Sequence, residues 1–333
     1  MTGIREVAKL AGVSPATVSR VMNGTANVNE EKRKRVEAAI KETGFQPNEL
    51  ARALYKKSSK MIGMIVPDIE NPFFSELAKA VEDTAYQNGY RILLCSSGGD
   101  GEKEAVNIQM FHQLRADGII VMTNCVETGK VLADCPIPVV LVDRKLEGLK
   151  ENAFVGADNY KGGCLAAEHL VECGCKNIVC MKEPAGYSSS KRRYEGYQKV
   201  CQKYGLKEKN IDCHYNYESG LRAAEEMLKK YPEVDGVIAG NDIVAMSVYK
   251  VLARHGKKVP REVQLVGFDD VGFGKLFIPE LTTIHQPIQE MGHLAAEIIL
   301  KAVNGEPYEK KNIFDVELVE RETTKCAGNK NRK

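Results

Sequence analysis

The pattern of apolar and polar positions predicts two short helices joined by a tight turn near the start of the chain. The buried stripe of the first helix consists of Ile4, Val7, Ala8 and Ala11. This helix ends at Gly12, because glycine readily takes the left-handed conformation of a tight helix exit. The second helix follows Ser14, whose hydroxyl suits an N-cap, and its buried stripe consists of Val18, Val21 and Met22. The pair predicts a helix-turn-helix, a shape that fits the major groove of DNA.

A third amphipathic helix is predicted over residues 30–43. Asn29 is its candidate cap and Gly44 its end, and its buried stripe consists of Val36, Ala39 and Ile40. The segment 46–60 then has a proline break, one short helical turn and a polar, basic exit, which is typical of a linker.

Beyond residue 60 short apolar runs alternate with helical patterns. The predicted strands are 61–66, 90–95, 118–122, 139–142, 154–156, 177–181, 236–239 and 264–268. The predicted helices are 74–88, 102–114, 159–172, 191–204, 219–230, 243–255 and 288–303. This alternation predicts two α/β lobes with parallel sheets covered by helices on both faces, facing each other across a cleft. The expected fold class is therefore an all-α headpiece followed by a two-lobed α/β body.

Charge is divided unevenly along the chain. Residues 1–60 contain 12 Lys and Arg against 6 Asp and Glu, a net charge of +6, whereas the remainder carries −4. The run Lys32-Arg33-Lys34-Arg35 alone fits a solvated helix face. Beside a helix-turn-helix it favours contact with the phosphate backbone of DNA.

Polar and aromatic residues follow the predicted strands, where ligands bind in parallel sheets of this kind. They include Asn71-Pro-Phe-Phe74, Asp143-Arg144, Ser188 to Arg193, Asn241-Asp242, Asp269-Asp270 and His285-Gln286. Sugar hydroxyls need paired donors and acceptors, and sugar ring faces stack on aromatic side chains. The inventory therefore predicts a sugar site. Taken singly, each residue also has a structural explanation, since Asn71 could cap a helix, Asp269 could bind loop amides and Phe73 could belong to the core.

The helix-turn-helix, the Pro47-Asn48 break and the segment Leu50-Ala51-Arg52-Ala53-Leu54 resemble the lactose/galactose repressor family of bacterial transcription regulators along essentially the whole chain. The resemblance implies a DNA-binding domain over residues 1–47 and a hinge helix and linker over 48–60. It implies an effector-binding and dimerisation domain over 61–333, with an N-lobe of 61–158 plus 288–315 and a C-lobe of 159–286 plus 316–325. In the family the hinge folds on operator DNA, and the residue matching Leu54 wedges into the minor groove, with Ala51 in the same segment.

The resemblance also assigns effector positions. They are Asn71, Phe73, Phe74, Asp143, Arg144, Arg193, Asn241, Asp269 and Gln286, with Tyr215 where relatives carry an aromatic residue. Asn-Pro-Phe-Phe, Asp-Arg and Thr-Thr-Ile-His-Gln-Pro look most like the members of the family that recognise ribose. D-ribose or a related sugar is the expected effector, and no cofactor is expected.

For DNA we expect Pro15, Ala16 and Arg20 to face base edges. Contacts to phosphate are expected from Thr17, Ser19, Asn23 and Asn29. Arg20 is the main candidate, because arginine can pair bidentately with guanine. The family implies a homodimer on a pseudo-palindromic double-stranded operator.

Several functional alternatives stay open. The resemblance favours release of a repressor from its operator on sugar binding, but relatives that respond to purine bind DNA better when liganded, and one branch uses a phosphocarrier protein as co-regulator. An extracytoplasmic solute-binding protein would need a signal peptide, and the chain begins directly with its basic head. An enzyme is not expected, because Ser96-Ser-Gly-Gly-Asp-Gly101 lacks the lysine-serine ending of a phosphate-binding loop.

The ten cysteines have no paired spacing, and the nearest approach to a metal motif is His169, Cys173 and Cys175. We expect reduced cysteines and no metal site. No apolar run approaches 18 residues, so a cytoplasmic protein without a membrane span is expected.

Overall fold

The computed structural model describes residues 3–23, 28–45, 58–146, 148–149, 152–184 and 187–325. The chain forms two compact units, here called the headpiece, Met1–Ser59, and the body, Lys60–Lys333.

The described part of the headpiece contains the three predicted helices, α1 (Ile4–Ala11), α2 (Pro15–Asn23) and α3 (Glu30–Thr43). The predicted ends are confirmed, since Gly12 and Gly44 adopt left-handed conformations with φ of 62° and 60°. The predicted caps are confirmed as well. The backbone N–H of Thr17 donates to the Ser14 hydroxyl at 3.2 Å, and that of Glu31 donates to Oδ1 of Asn29 at 2.9 Å. Val7, Ala8, Ala11, Val18, Val36 and Ala39 form the buried core of the headpiece.

The body contains two six-stranded sheets. The first has the strand order β11-β5-β4-β3-β1-β2 and is parallel throughout. Its strands are β1 (Met61–Val66), β2 (Arg91–Ser96), β3 (Gly118–Val121), β4 (Val139–Val142), β5 (Ala153–Ala157) and β11 (Lys311–Phe314). The second has the order β12-β10-β9-β8-β6-β7, in which only the β10–β12 pair is antiparallel among the described strands. Its strands are β6 (Ile178–Lys182), β7 (Asn210–Asp212), β8 (Gly236–Ile238), β9 (Gln264–Asp269), β10 (Thr282–His285) and β12 (Glu317–Val319).

Helices cover both faces of each sheet. The helices are α4 (Pro72–Gln87), α5 (Gly101–Gln113), α6 (Val126–Ala133), α7 (Asn159–Glu172), α8 (Ser188–Tyr204), α9 (Tyr217–Lys230), α10 (Asp242–Arg254) and α11 (Ile288–Asn304). Within β1, Ile62 and Met64 pack towards α4 and α11, whereas Ile65 packs towards α5. On the second sheet, α7 and α8 pack together and cover one face, and α9 and α10 cover the other. This confirms the predicted fold class.

The two sheets exchange segments of chain. After β5 the chain passes to the second sheet, and after β10 helix α11 returns to pack on α4 and on strands β3, β4 and β5. β11 then joins the first sheet and β12 the second. The two lobes are therefore joined by three connections, each following the end of a strand.

All eight predicted strands are present to within one residue at each end. Four further strands, β7, β10, β11 and β12, were not predicted, because each has only three or four residues and too few apolar positions to show a pattern. Helix α4 begins at Pro72, two residues earlier than expected. Helix α8 begins at Ser188, three residues earlier than expected, because its polar first turn hides the helix start from apolar periodicity.

The expectation of reduced cysteines is wrong at one position, because Cys173 is disulfide-bonded. The eight free thiols among the described residues are Cys95, Cys125, Cys135, Cys164, Cys175, Cys180, Cys201 and Cys213. Sequence spacing failed here because a disulfide depends on proximity in the fold. Within the described residues, no helix is long and apolar enough to cross a membrane.

Candidate functional site

The outer face of α2 presents the residues expected to read DNA. Pro15, Ala16 and Arg20 are exposed, and Thr17 and Ser19 are half-buried. The Thr17 hydroxyl lies 3.0 Å from that of Ser14, so it is held in the first turn of the helix. A helix face with exposed small residues and one arginine can approach base edges closely.

The remaining predicted DNA contacts lie outside the outer face of α2 or outside the described residues. Asn29 caps α3 through its side chain, and Asn23 ends α2. Ala51 and Leu54 lie outside the described residues. All four side chains of the run Lys32-Arg33-Lys34-Arg35 are exposed on α3.

The body contains a cavity of about 440 Å³ at the carboxyl ends of strands from both sheets. Nine of the ten predicted effector residues line it, namely Asn71, Phe73, Phe74, Asp143, Arg144, Arg193, Tyr215, Asn241 and Asp269. The tenth, Gln286, is fully buried behind this wall, where its Nε2 donates to Oδ1 of Asp269 at 2.7 Å. The fold thus brings together residues that are up to 215 positions apart in the sequence, from Asn71 to Gln286.

Asn71 and the two phenylalanines form the wall that comes from the first sheet. Oδ1 of Asn71 accepts from the backbone N–H of Phe73 at 3.1 Å, so Asn71 caps α4 as well as lining the cavity. The rings of Phe73 and Phe74 meet edge to face with centroids 5.2 Å apart. They offer an apolar surface of the kind that packs against a sugar ring.

Arg193 is the central cation of the cavity. Its side chain leaves α8, and its Nε donates to Oδ1 of Asn159 at 2.7 Å. Nη1 donates to the carbonyl oxygen of Gly240 at 2.5 Å, and Nη2 lies 3.7 Å from Oδ1 of Asp269. The guanidinium also stacks over the ring of Phe268, 3.6 Å from its centroid. These contacts fix the guanidinium plane before any ligand arrives.

Asp269 ends β9 and is buried. Burial raises its pKa well above the usual value, while Arg193 and the hydrogen bond from Gln286 favour the charged form and Asp242 and Asp143 oppose it. Its φ of 113° is unusual for a residue with a side chain. The fold therefore holds this carboxyl in a costly position, as happens at functional sites.

Asp143 and Arg144 follow β4 as an adjacent pair. Nε of Arg144 lies 3.6 Å from Oδ2 of Asp143, whose φ is 61°. Burial raises the pKa of Asp143, whereas Arg144 and Arg193 lower it. The Arg144 guanidinium also lies over the rings of Phe74 and Tyr187, 5.6 and 5.3 Å from their centroids. Oδ1 of Asp143 has no hydrogen-bond partner among the described residues and can accept from a ligand.

Asn241 and Tyr215 complete the wall from the second sheet. Oδ1 of Asn241 caps α10 by accepting from the Val244 N–H at 2.9 Å. The Tyr215 hydroxyl donates to Oγ of Ser190 at 2.8 Å. A Cβ on Gly240 would lie 1.9 Å from the Tyr215 ring, so the ring position depends on glycine at that site. Burial raises the pKa of Tyr215, which keeps its hydroxyl neutral.

Sequence reasoning missed several lining residues, of which Glu183, Tyr187 and His214 can interact with a ligand through charge, hydrogen bonds or stacking. Glu183 directly follows β6, the position that was read as functional after other strands, so its place in the chain was the available signal. His214 and Tyr215 follow β7, which was not predicted. Burial raises the pKa of Glu183 to about 7, although Arg144 and Arg193 lower it.

The cavity combines aromatic surface with buried guanidinium, carboxyl and amide groups whose positions are fixed by the protein. Such a site binds a small ligand that carries many hydroxyl groups, because each hydroxyl can donate to a carboxylate and accept from an amide or arginine.

Comparison with known proteins agrees with both parts of the molecule. The family model described as bacterial regulatory proteins, lacI family, matches residues 3–48, and that of a periplasmic binding protein-like domain matches residues 167–324. The chain is 38% identical over 331 residues to the ribose operon repressor of Halalkalibacterium halodurans, covering 99% of each chain.

Two solved structures are similar over most of the chain. The lac repressor dimer bound to operator and the anti-inducer ONPF has a TM-score of 0.85 and 26% identity, covering 97% of this chain and 98% of that one. A LacI family transcriptional regulator from Enterococcus faecium with bound ribose has a TM-score of 0.72 and 27% identity, covering 80% of this chain and 99% of that one.

Proposed function

Because this chain belongs to the lacI family of bacterial regulatory proteins and is a DNA-binding, sugar-responsive transcriptional repressor, we propose that its effector is D-ribose. The observation that carries the proposal is the cavity that nine of the ten expected sugar-contacting residues line together. Its volume of about 440 Å³ exceeds the needs of a pentose, so the site also has room for ordered water or for closure around the sugar. The ribose operon repressor of H. halodurans and the ribose-bound regulator of E. faecium support the choice of sugar.

Each wall has a proposed role. Phe73 and Phe74 pack against the apolar face of the sugar ring. Arg144 and Arg193 donate to ring and hydroxyl oxygens, and Asp143 and Asp269 accept from hydroxyl groups. Asn71, Asn241 and Tyr215 offer further polar groups from the walls, and Gln286 holds Asp269 from behind. The sugar is bound without being converted, and no cofactor takes part.

On the DNA side we propose that α2 lies in the major groove of a double-stranded, pseudo-palindromic operator. Arg20 pairs with guanine, and Pro15 and Ala16 contact neighbouring base edges. Phosphates are contacted by Thr17, Ser19, Asn23 and Asn29, and Ala51 and Leu54 are proposed to act in the minor groove. The protein then acts in the cytoplasm, where the operator lies.

We propose that the protein binds DNA as a homodimer, as the lac repressor does in its operator complex. The body exposes an apolar patch in which Phe273, Leu276 and Ile278 are 56%, 78% and 85% exposed. Beside it, Tyr249 and Phe277 meet edge to face and line an open groove on α10. An apolar surface of this kind on a single chain favours a protein partner, and the partner proposed is a second copy.

We further propose that ribose releases the repressor from its operator. The lobes are joined by three connections, so closure of the cavity around a sugar changes the angle between them. A sugar that binds the closed form better shifts the dimer away from its DNA-binding arrangement, and the operator reciprocally weakens sugar binding.

Isothermal titration calorimetry of the purified full chain with D-ribose tests the effector. Arabinose, xylose, galactose, fructose and hypoxanthine serve as comparisons, because the chain has no tryptophan for a fluorescence assay. Saturable heat with ribose and recovery of unchanged ribose support the proposal. Saturable heat from another ligand but not from ribose rejects ribose as the effector. If none of the ligands gives binding heat, a protein co-regulator is favoured.

A further inference from the structure

The body buries two glutamates that differ in their hydrogen bonding. Glu104 on α5 is 1% exposed and accepts from three hydroxyl groups, those of Ser97, Thr123 and Thr128, at 3.0, 2.5 and 2.6 Å. Its carboxylate is thus satisfied within the protein. Glu183 is 7% exposed, lines the cavity, and has an Oε2 without a hydrogen-bond partner among the described residues.

The backbone of Glu183 is held in place by the side chain of Ser190. Its N–H donates to Oγ of Ser190 at 2.9 Å, and the same Oγ receives the Tyr215 hydroxyl at 2.8 Å. Ser190 therefore ties the end of β6, the first turn of α8 and the aromatic ring at the cavity wall together. These bonds hold the backbone of Glu183 at the wall of the cavity that its side chain lines.

Arg144 and Arg193 both lower the pKa of Glu183, but neither donates a hydrogen bond to its Oε2. Arg193 donates to Asn159 and to the carbonyl oxygen of Gly240, and Arg144 lies beside Asp143. A buried carboxylate oxygen without a donor is costly, which favours a donor that arrives with the ligand.

We propose that Glu183 contacts the effector directly and that its Oε2 accepts a hydrogen bond from a hydroxyl group of the bound sugar. This inference rests on the proposed sugar effector and adds a residue that neither the sequence resemblance nor the comparisons assign. It makes Glu183 a determinant of affinity and of the response to pH.

The pH response follows from the groups that surround this carboxyl. Burial raises its pKa to about 7, Arg144 and Arg193 lower it, Asp143 raises it, and the backbone amide of Tyr215 lowers it. The other titratable side chains that interact with it are those of Tyr187, Cys213 and Tyr215. A hydroxyl donated by the sugar favours the charged carboxylate, so binding lowers the pKa of Glu183 and releases a proton.

Calorimetric titration with D-ribose at pH 6, 7 and 8 tests the proposal on the full-length protein. If only the anionic form binds and the carboxyl titrates near 7, the apparent Kd rises about tenfold from pH 8 to pH 6. Repeating the titration at pH 7 in buffers of different ionisation enthalpy should show release of about half a proton per ribose bound.

Glu183→Gln is the decisive variant, because it preserves size and one acceptor while removing the charge. We expect ribose to bind it about tenfold more weakly at pH 8, with a Kd that stays within about twofold between pH 6 and pH 8. Glu195→Gln, at a half-buried residue outside the cavity that pairs with Arg192 on α8, is the matched control and should behave as the parent protein does.

His214→Asn is the second control for the pH response, because the His214 side chain also lines the cavity. The inference requires this variant to keep the pH dependence. Thermal melting without sugar adds a readout of structural damage. Glu183→Gln should melt at pH 8 no lower than the parent protein, because an unsatisfied buried carboxylate has been removed.

The outcomes distinguish this inference from the proposed effector. If the parent protein binds ribose and Glu183→Gln binds it with the same affinity and the same pH dependence, the role of Glu183 is overturned and the proposed effector stands. Loss of the pH dependence in His214→Asn, or a lower melting temperature of Glu183→Gln, also overturns it. Failure of the parent protein to bind ribose or any sugar of the panel overturns both proposals.

Discussion

The outer face of α2 and the cavity of the body hold their polar side chains in different ways. On α2, Pro15, Ala16 and Arg20 are exposed to solvent. In the cavity, Arg193 and Asp269 are buried and bound by fixed partners. A surface that must fit a large partner can leave its groups solvated until contact, whereas a site for a small sugar must arrange its groups beforehand. Substitutions on α2 should therefore change binding alone, and substitutions in the cavity should change binding and stability together.

The largest effect is expected for Arg193→Ala. It removes the donor to Oδ1 of Asn159 and to the Gly240 carbonyl, and the cation beside Asp269, which keeps its hydrogen bond from Gln286. Breaking a buried ion pair of this kind costs about 3–5 kcal/mol. We expect ribose binding to be lost in calorimetry and the unfolding free energy to fall in chemical denaturation.

Arg193→Lys is the informative companion, because a single ammonium cannot reproduce two directed hydrogen bonds and an ion pair at the same time. It should also fail to bind ribose while recovering part of the stability. Ribose affinity within tenfold of the parent in either variant would contradict the role given to this guanidinium.

The second effect concerns pH and the stability of the body. Burial raises the pKa of Glu183 and of Asp242 to about 7 in the folded protein. Between about pH 4.5 and 7 the folded state therefore holds protons that the unfolded state has released, so stability falls as pH rises. The slope should reach about 1.4 kcal/mol per pH unit for each group.

Denaturant unfolding at intervals between pH 4.5 and 8 measures this slope. Glu183→Gln should reduce the slope by the contribution of one titrating carboxyl. Stability that rises steadily with pH across that interval would show that these carboxyls are charged and compensated in the folded protein.

The third effect is on α2. Arg20→Ala should remove about 1–3 kcal/mol of discrimination between operator and unrelated DNA. Because the side chain is exposed, stability should change by no more than about 0.5 kcal/mol and ribose affinity should not change.

Fluorescence anisotropy with an operator duplex selected from random DNA provides the measurement, and Lys34→Ala is the control on the basic run. That variant should weaken binding to all sequences alike. Equal losses on operator and unrelated DNA for Arg20→Ala would place Arg20 on the phosphates.

The smallest effect concerns Asn29, which caps α3 and is proposed to contact phosphate. Asn29→Ala should cost about 1 kcal/mol of stability, whereas Asn29→Asp keeps a side-chain oxygen for the cap. If the phosphate contact exists, Asn29→Asp weakens DNA binding without loss of melting temperature, because a carboxylate repels phosphate. Unchanged DNA affinity in that variant would make Asn29 a capping residue only.

The two regions also differ in how far the sequence could predict them. In the headpiece, helix ends depend on local caps, and Ser14, Asn29 and Gly44 could be recognised from neighbouring residues. In the body, long apolar strands such as β1 were visible, but short edge strands such as β7 were not. Most of the expected cavity residues follow recognised strands, but Glu183 after β6 was missed. After β7, which was not recognised, Tyr215 was the one predicted residue.

The sequence could not show which buried polar groups find hydrogen-bond partners in the fold. The neighbouring sequence does not reveal that Glu104 and Glu183 differ, and only the fold shows that three hydroxyls satisfy Glu104. The disulfide at Cys173 was missed for the same reason, because proximity in space has no signature in spacing.

The central claim is that a sugar in the body controls a DNA-binding surface in the headpiece. The most direct test is operator binding by the full chain, measured by anisotropy with and without saturating D-ribose, with Arg193→Ala in parallel. The account predicts that ribose weakens operator affinity of the parent protein by about 5- to 150-fold and leaves that of the variant unchanged. Identical operator affinities with and without ribose, under conditions in which calorimetry shows ribose bound, would contradict it.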